Sequence, residues 1–289
     1  MEQIFNSEFY EKLHTLRMSI ALTIASGQAG GRKSNSKGNS VEFSDFREYM
    51  LGDDIRRIDW NAYGRFDRLF VKLFMEEKEG VFQIFLDCSE SMKFGEKSKE
   101  VCAKRVAGAL SYIVLENGDR LFLNTLRDNH VLTAGSYSGM QSFIRTIKFI
   151  EEAPMGGPND LFKSVKEKEF KNRGLSFLIT DGYTDDLDDT IKYLKYKKQD
   201  VVLIHVLSEE ELNPRYEGTL NLIDSEDNGD LRVSFNATAI KTYKDSLNKF
   251  LTETENLCKK YAVTYIRVNS SDSCDSLFFS SLAKLAKKV

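Results

Sequence analysis

Five short apolar runs constrain this chain more than any other feature: VFQIFLD (81–87), DRLFLNTL (119–126), GLSFLITD (174–181), DVVLIHVL (200–207) and VTYIRVN (263–269). Each is strand-length and apolar on nearly consecutive positions, so both faces must be covered. Helical periods fill the intervals, near 98–116, 138–149, 160–171, 185–198, 238–261 and 275–288. Strands alternating with helices predict an α/β domain of the Rossmann-like class, a doubly wound, mainly parallel sheet flanked by helices. LNLIDSEDNGDLRVSF breaks the rhythm. Its two strand-like pieces around Asn228 and Gly229 predict an inserted hairpin near 217–236. Ahead of the first run, Phe9, Leu13, Leu16, Ile20 and Ile24 fall at helical spacing and predict a helix over 7–25. A glycine- and serine-rich basic loop follows, and the charged, aromatic stretch 41–74 has no clean assignment. The expected division is an N-terminal helix and loop region, 1–78, and an α/β domain, 79–289.

A chain of 289 residues buries about three quarters of the surface its unfolded form exposes, enough for a substantial core. With 41 Lys+Arg against 44 Asp+Glu the net charge is near −3, which gives no bulk attraction to nucleic acid or an anionic membrane. Cys88, Cys102, Cys258 and Cys274 form no Cys-x-x-Cys pair, so they read as free thiols in a reducing compartment. MEQIFNSEFYEK does not look like a secretory leader, and MSIALTIA is far shorter than the roughly 20 residues a bilayer crossing needs. The expectation is a soluble, cytoplasmic protein.

Ligands of open doubly wound sheets bind beyond the carboxyl ends of the strands, where the chain order switches. Asp87 ends the first run and Asp181 ends GLSFLITD, so the two acids should converge. GGPNDL (156–161), a glycine-rich loop opening a helix, is placed to lie over the same edge. Asp87, Ser89 and Ser91 stand at alternate positions. Two carboxylates, two hydroxyls and the Asn159 amide oxygen are hard donors that suit Mg2+, with Ca2+ or Mn2+ next, rather than zinc. Taken alone, Asp87-x-Ser89-x-Ser91 also suits a helix N-cap. A nucleophilic Asp87 in a Mg2+-dependent phosphoester hydrolase is the alternative function, although such sites need a second acid where Ser89 stands. A serine hydrolase would need a histidine near Ser89, and nothing in the sequence brings His14, His130 or His205 there.

FLDCSESM, GGPNDL and LITDGYTDD, in that order and each at a strand end, resemble the metal-ion-dependent adhesion site of von Willebrand factor type A domains. The resemblance implies that Asp87, Ser89, Ser91, Asn159 and Asp181 hold a metal ion, with Asn159 standing where that family usually has Thr. VEFSDFREYMLGDDIRRIDWNAYGRFDRLFVKLFMEE (41–77) closely resembles the signature of the bacterial family known as domain of unknown function number 58, in which this block precedes a von Willebrand A domain. That resemblance implies a non-enzymatic protein-protein interaction module, an adapter or chaperone-like partner of a MoxR-type AAA+ ATPase.

Other motifs have plainer readings. GQAGGRKS (27–34) fails as a phosphate loop because Arg32 occupies the second glycine position and a helix precedes it. The stretch reads as a flexible basic loop, in which Arg32, Lys33 and Lys37 are able to meet an acidic partner surface, with nucleic-acid binding the weakest hypothesis. GDDIRRIDW (52–60) reads as a turn with local ion pairs that docks the N-terminal block onto the α/β domain, or as a recognition surface for the ATPase. The last helix, with Leu277, Phe278, Leu282 and Leu285, reads as core packing with a basic end.

Overall fold

The computed structural model describes residues 4–15, 42–75, 79–214, 218–223, 230–235, 237–273 and 276. The basic loop at 27–37 and the closing helix at 275–288 lie largely outside these residues, as does the second half of the expected 7–25 helix. Two compact units are present, one of Met1–Ala25 with Gly80–Val289 and a smaller one of Ser26–Glu79.

Residues 7–15 form helix α1. In the smaller unit, strands β1 (Glu42–Glu48) and β2 (Phe70–Met75) pair antiparallel, with helix α2 (Trp60–Phe66) between them in the chain. Asp59 caps α2 by accepting from the Asn61 and Ala62 amides, and it pairs with Lys72 at 3.2 Å. Asp53 pairs with Arg47 at 2.8 Å. Asp53 and Asp59 of GDDIRRIDW are thus engaged by bases outside the motif, while Asp54 accepts from the Arg56 amide within it. Ile58 is buried, whereas Ile55 and Trp60 are exposed.

The larger unit continues with β3 (Val81–Asp87), α3 (Lys99–Glu116), β4 (Arg120–Arg127), β5 (His130–Tyr137), α4 (Phe143–Glu152) and α5 (Leu161–Lys166). It is completed by β6 (Gly174–Thr180), α6 (Leu187–Tyr196), β7 (Gln199–Leu207), α7 (Glu209–Leu212), β8 (Gly218–Ile223), β9 (Asp230–Phe235), α8 (Ala237–Lys260) and β10 (Thr264–Asn269). The main sheet runs in the order β10-β7-β6-β3-β4-β5, parallel except for β5. This is the doubly wound architecture the apolar runs predict. β8 and β9 pair antiparallel from Gly218–Phe235 to Ile223–Asp230, the expected insertion.

β5 is absent from the sequence reading. It returns from β4 through Asp128 and Asn129, both at positive φ (52° and 64°), the backbone of a tight two-residue hairpin. As an edge strand it mixes exposed and half-buried positions, so no apolar run marks it.

Alternation along β3 shows why both faces need cover. Phe82, Ile84 and Leu86 join a core with α3, α4 and α1, while Phe85 joins the opposite core with Leu161, Val165, Leu187 and Ile191 of α5 and α6. Residues 4–15 belong with this unit, not with the 1–78 region expected from the sequence. Phe5, Phe9 and Leu13 are buried in the α3 core, and Gly108 of α3 has no side chain to block the Phe5 and Phe9 rings. The Arg105 Nε–H also donates to the Ile4 carbonyl at 2.9 Å.

Replacing the fully buried Phe9 with alanine should therefore remove about 3 kcal/mol of stability, as expected for a large core truncation. Urea titration should show a lower midpoint with an unchanged slope. An unchanged midpoint would mean that α1 does not belong to this core.

Candidate metal and docking site

β3 leads to α3 and β4 on one side, whereas β6 lies on its other side, so the chain order switches between β3 and β6. Their carboxyl ends deliver Asp87 and, one residue past the strand, Asp181, each nearly fully buried.

Three donors orient Asp87. Its Oδ1 accepts from the Ser89 amide and from Asn159 Nδ2, each at 3.0 Å, and its Oδ2 accepts from the Thr180 hydroxyl at 2.7 Å. Ser89 holds the cap position of a short 3-10 turn, Glu90–Lys93, yet its side chain makes no cap bond. Instead its Oγ lies 3.0 Å from Ser91 Oγ, while the following helix α3 is capped by Ser98. The two hydroxyls are therefore not spent on helix capping.

The glycine-rich loop is stitched to this strand end. Gly156 and Gly157 both sit at positive φ, 116° and 92°, a conformation that side chains disfavour. The Gly156 amide donates to the Cys88 carbonyl at 2.8 Å, and the Glu90 amide donates to the Gly157 carbonyl at 3.0 Å. This docking brings Asn159 to Asp87. Its amide nitrogen faces Asp87, because its oxygen accepts from the Ser164 hydroxyl at 2.7 Å.

Asp181 is held from the other side. Its Oδ2 pairs with Lys99 Nζ at 2.8 Å, and Lys99 also pairs with Glu211 Oε1 at 2.7 Å. The Asp181 carbonyl accepts from His205 Nε2 at 2.7 Å, which leaves Nδ1 to accept from the Tyr265 hydroxyl at 2.9 Å. Burial pushes His205 down to about 4, so it is neutral at physiological pH. Cys88 is pushed up to about 12, first by burial and then by the Asp87 charge, and is an inert thiol.

Burial, and after it the Asp181 charge, pushes Asp87 up to about 6 despite its three hydrogen bonds. A buried carboxylate with an acidic neighbour and two nearby hydroxyls is an oxygen-rich spot short of positive charge. Asp87, Ser89, Ser91 and Asp181 fit a hard cation on these grounds. Asn159, as oriented, fits as a hydrogen-bond donor that positions Asp87. Both Asp87 oxygens are engaged, an arrangement that speaks against a nucleophilic role. A cleft of about 620 Å3 opens beside the site, lined by Asn159, Asp160, Tyr183, Asp186 and Phe250 among others.

Thr180, Lys99, Glu211 and His205 are absent from the sequence reading of the site. Only Glu211 had a legible signal, the Ser208-x-x-Glu211 capping box that the structure contains.

A family model described as "Protein of unknown function DUF58" matches residues 45–249. Uncharacterized proteins of Mycobacterium tuberculosis and Mycobacterium bovis are 25% identical over 176 residues, 58% of this chain and 56% of theirs. The chain thus spans about half the length of these curated relatives. Among solved structures, the conserved hypothetical protein BatB from Bacteroides thetaiotaomicron is 17% identical, covering 72% of this chain and 99% of its own, with a TM-score of 0.44. The SpRpn10 VWA domain is 12% identical, covering 70% and 94%, with a TM-score of 0.39. Among the described residues no helix is long and apolar enough to cross a membrane.

The raised Asp87 value sets a sign for stability. The folded state binds this proton more tightly than the unfolded chain, whose carboxyl titrates near 3.9. The associated stability is present below about pH 4 and lost as pH rises through about 6. Asp87→Asn removes this loss. In chelator, urea midpoints should show the variant gaining on wild type between about pH 4.5 and 7.5, by about 1–2 kcal/mol. A difference that stays flat with pH would contradict the assignment.

Proposed function

We propose that this chain, which belongs to the family of proteins of unknown function DUF58, is a non-enzymatic protein-interaction module that docks its partner at the carboxyl edge of β3 and β6. The observation that carries the reading is the convergence of Asp87 and Asp181, both nearly fully buried, at the topological switch point of the sheet. Buried acids in such a place support binding more than packing.

Asp87, Ser89, Ser91 and Asp181 are the residues we assign to a hard divalent cation, Mg2+ first and Ca2+ or Mn2+ after it. When bound, the cation supplies an open coordination position for a carboxylate of the partner. Thr180, Asn159 and the Ser89 amide hold Asp87 in one orientation. The Ser89 and Ser91 hydroxyls turn to each other rather than to a helix end, and so remain available to a ligand. Glu90, through its contacts with Gly157, keeps the glycine loop on the strand end.

The partner class we assign, in line with the family resemblance, is a MoxR-type AAA+ ATPase for which this chain acts as adapter. A purified ATPase of that type from the same genome, immobilised and offered the full chain, tests this directly. Wild type in Mg2+ should be retained, while chelator or Asp87→Ala should weaken retention at least about tenfold, the loss expected when a central charged contact goes. Melting curves would confirm that the variant stays folded. Equal retention in all three conditions would remove the strand-end site from the interface.

A further inference from the structure

Lysine is among the residues least often shut away from water, and then only when paired. Lys99 is 0% exposed. It opens α3, directly after the Ser98 cap, and its ammonium lies 2.8 Å from Asp181 Oδ2 and 2.7 Å from Glu211 Oε1. The Tyr183 ring is 5.1 Å from the same nitrogen and the Phe94 ring 5.8 Å, so cation–π attraction adds to the ion pairs. Glu211 is itself fixed. Its other oxygen accepts from the Ser208 amide at 2.6 Å, and its own amide donates to Ser208 Oγ at 3.2 Å. Lys99 is thus clamped between two carboxylates, with one oxygen of Asp181 on its side.

The other Asp181 oxygen, Oδ1, accepts from the Tyr183 amide at a long 3.3 Å, and the Asp181 charge reaches Asp87. One carboxylate is therefore shared between an internal ammonium and the strand-end site. Stability alone does not account for such a cluster, because apolar replacements of buried ion clusters are often as stable.

We propose that Lys99 is a tethered competitor of the divalent cation at this site: it holds Asp181 in place without a metal ion and lowers the affinity of the site for one. The inference rests on the assignment of Asp87, Ser89, Ser91 and Asp181 to a cation. Its physical basis is direct. A fixed positive charge on Asp181 neutralises much of what attracts a second cation, and it repels that cation through a poorly hydrated interior where charges are weakly screened. Lys99 is a positioning residue here, since it acts through Asp181.

The full chain, stripped of metal, would be titrated calorimetrically with Mg2+ and with Mn2+. Wild type would be compared with Lys99→Arg, Lys99→Met, Lys99→Met/Glu211→Gln and Asp87→Ala. The double variant removes one buried cation together with one buried anion, so it keeps the net charge of the cluster where Lys99→Met does not, and it leaves no new carboxylate to serve as a ligand. The expected result is Mn2+ and Mg2+ affinity at least about tenfold higher in the double variant than in wild type, with Lys99→Arg unchanged. The melting temperature of the double variant should also rise more steeply with Mg2+. A lysine with a purely structural role would leave affinity equal or weaker on removal, and that result overturns the proposal. Binding that Asp87→Ala abolishes, without a gain on losing Lys99, defeats this inference alone. Binding that ignores Asp87→Ala, or none in any variant, defeats the cation-site assignment and this inference with it.

Discussion

An ammonium shut away from water must be met by negative charge, and Lys99 meets that condition with carboxylates from two other parts of the chain. Lys99 begins the helix after β3, Asp181 follows β6, and Glu211 lies just past β7. One nitrogen therefore ties together the carboxyl ends of three neighbouring parallel strands. Removing Lys99 leaves two buried carboxylates without their common counterion, so the three connections are constrained as a group. Asp87 sits at the same edge, and its upward shift is a measure of the negative charge that a single ammonium leaves unbalanced.

The framework around that edge was legible because parallel strands are covered on both faces and so appear as apolar runs. The run 81–87 coincides with β3, and the other four runs lie within one residue of β4, β6, β7 and β10 at each end. Convergence of Asp87 and Asp181 followed from strand direction alone. β5 escaped because an antiparallel edge strand needs cover on fewer positions, though Asp128-Asn129 carried the turn chemistry. The block 41–74 escaped for a different reason. Its two strands are separated by a 3-10 turn and a seven-residue helix, and neither strand alternates cleanly between polar and apolar positions.

Lys99 was illegible in principle, and Glu211 was legible only as the last residue of a capping box, not as a partner of the site. A lysine in KSKEVCAKRV and a glutamate in SEEEL look like solvated surface, and only the packing of Tyr183 and the loops around them makes them interior. Ser89 and Ser91 present the converse case. Locally they look like cap residues, yet the cap is supplied by Ser98, and the hydroxyl pair is left at the edge.

The two departures from a bare oxygen cage act in the same direction. At position 159 an amide brings a donor as well as an acceptor, and the donor is spent on Asp87 Oδ1. At Asp181 the donor is the Lys99 ammonium. Each carboxylate thus receives an N–H from the protein, and Ser164 fixes the orientation of the amide by donating to its oxygen. An acidic pair supported in this way keeps its shape before any ligand arrives. On the function proposed above, pre-arrangement of this kind lowers the entropy lost on docking, while the donors already present reduce what an ion alone can gain.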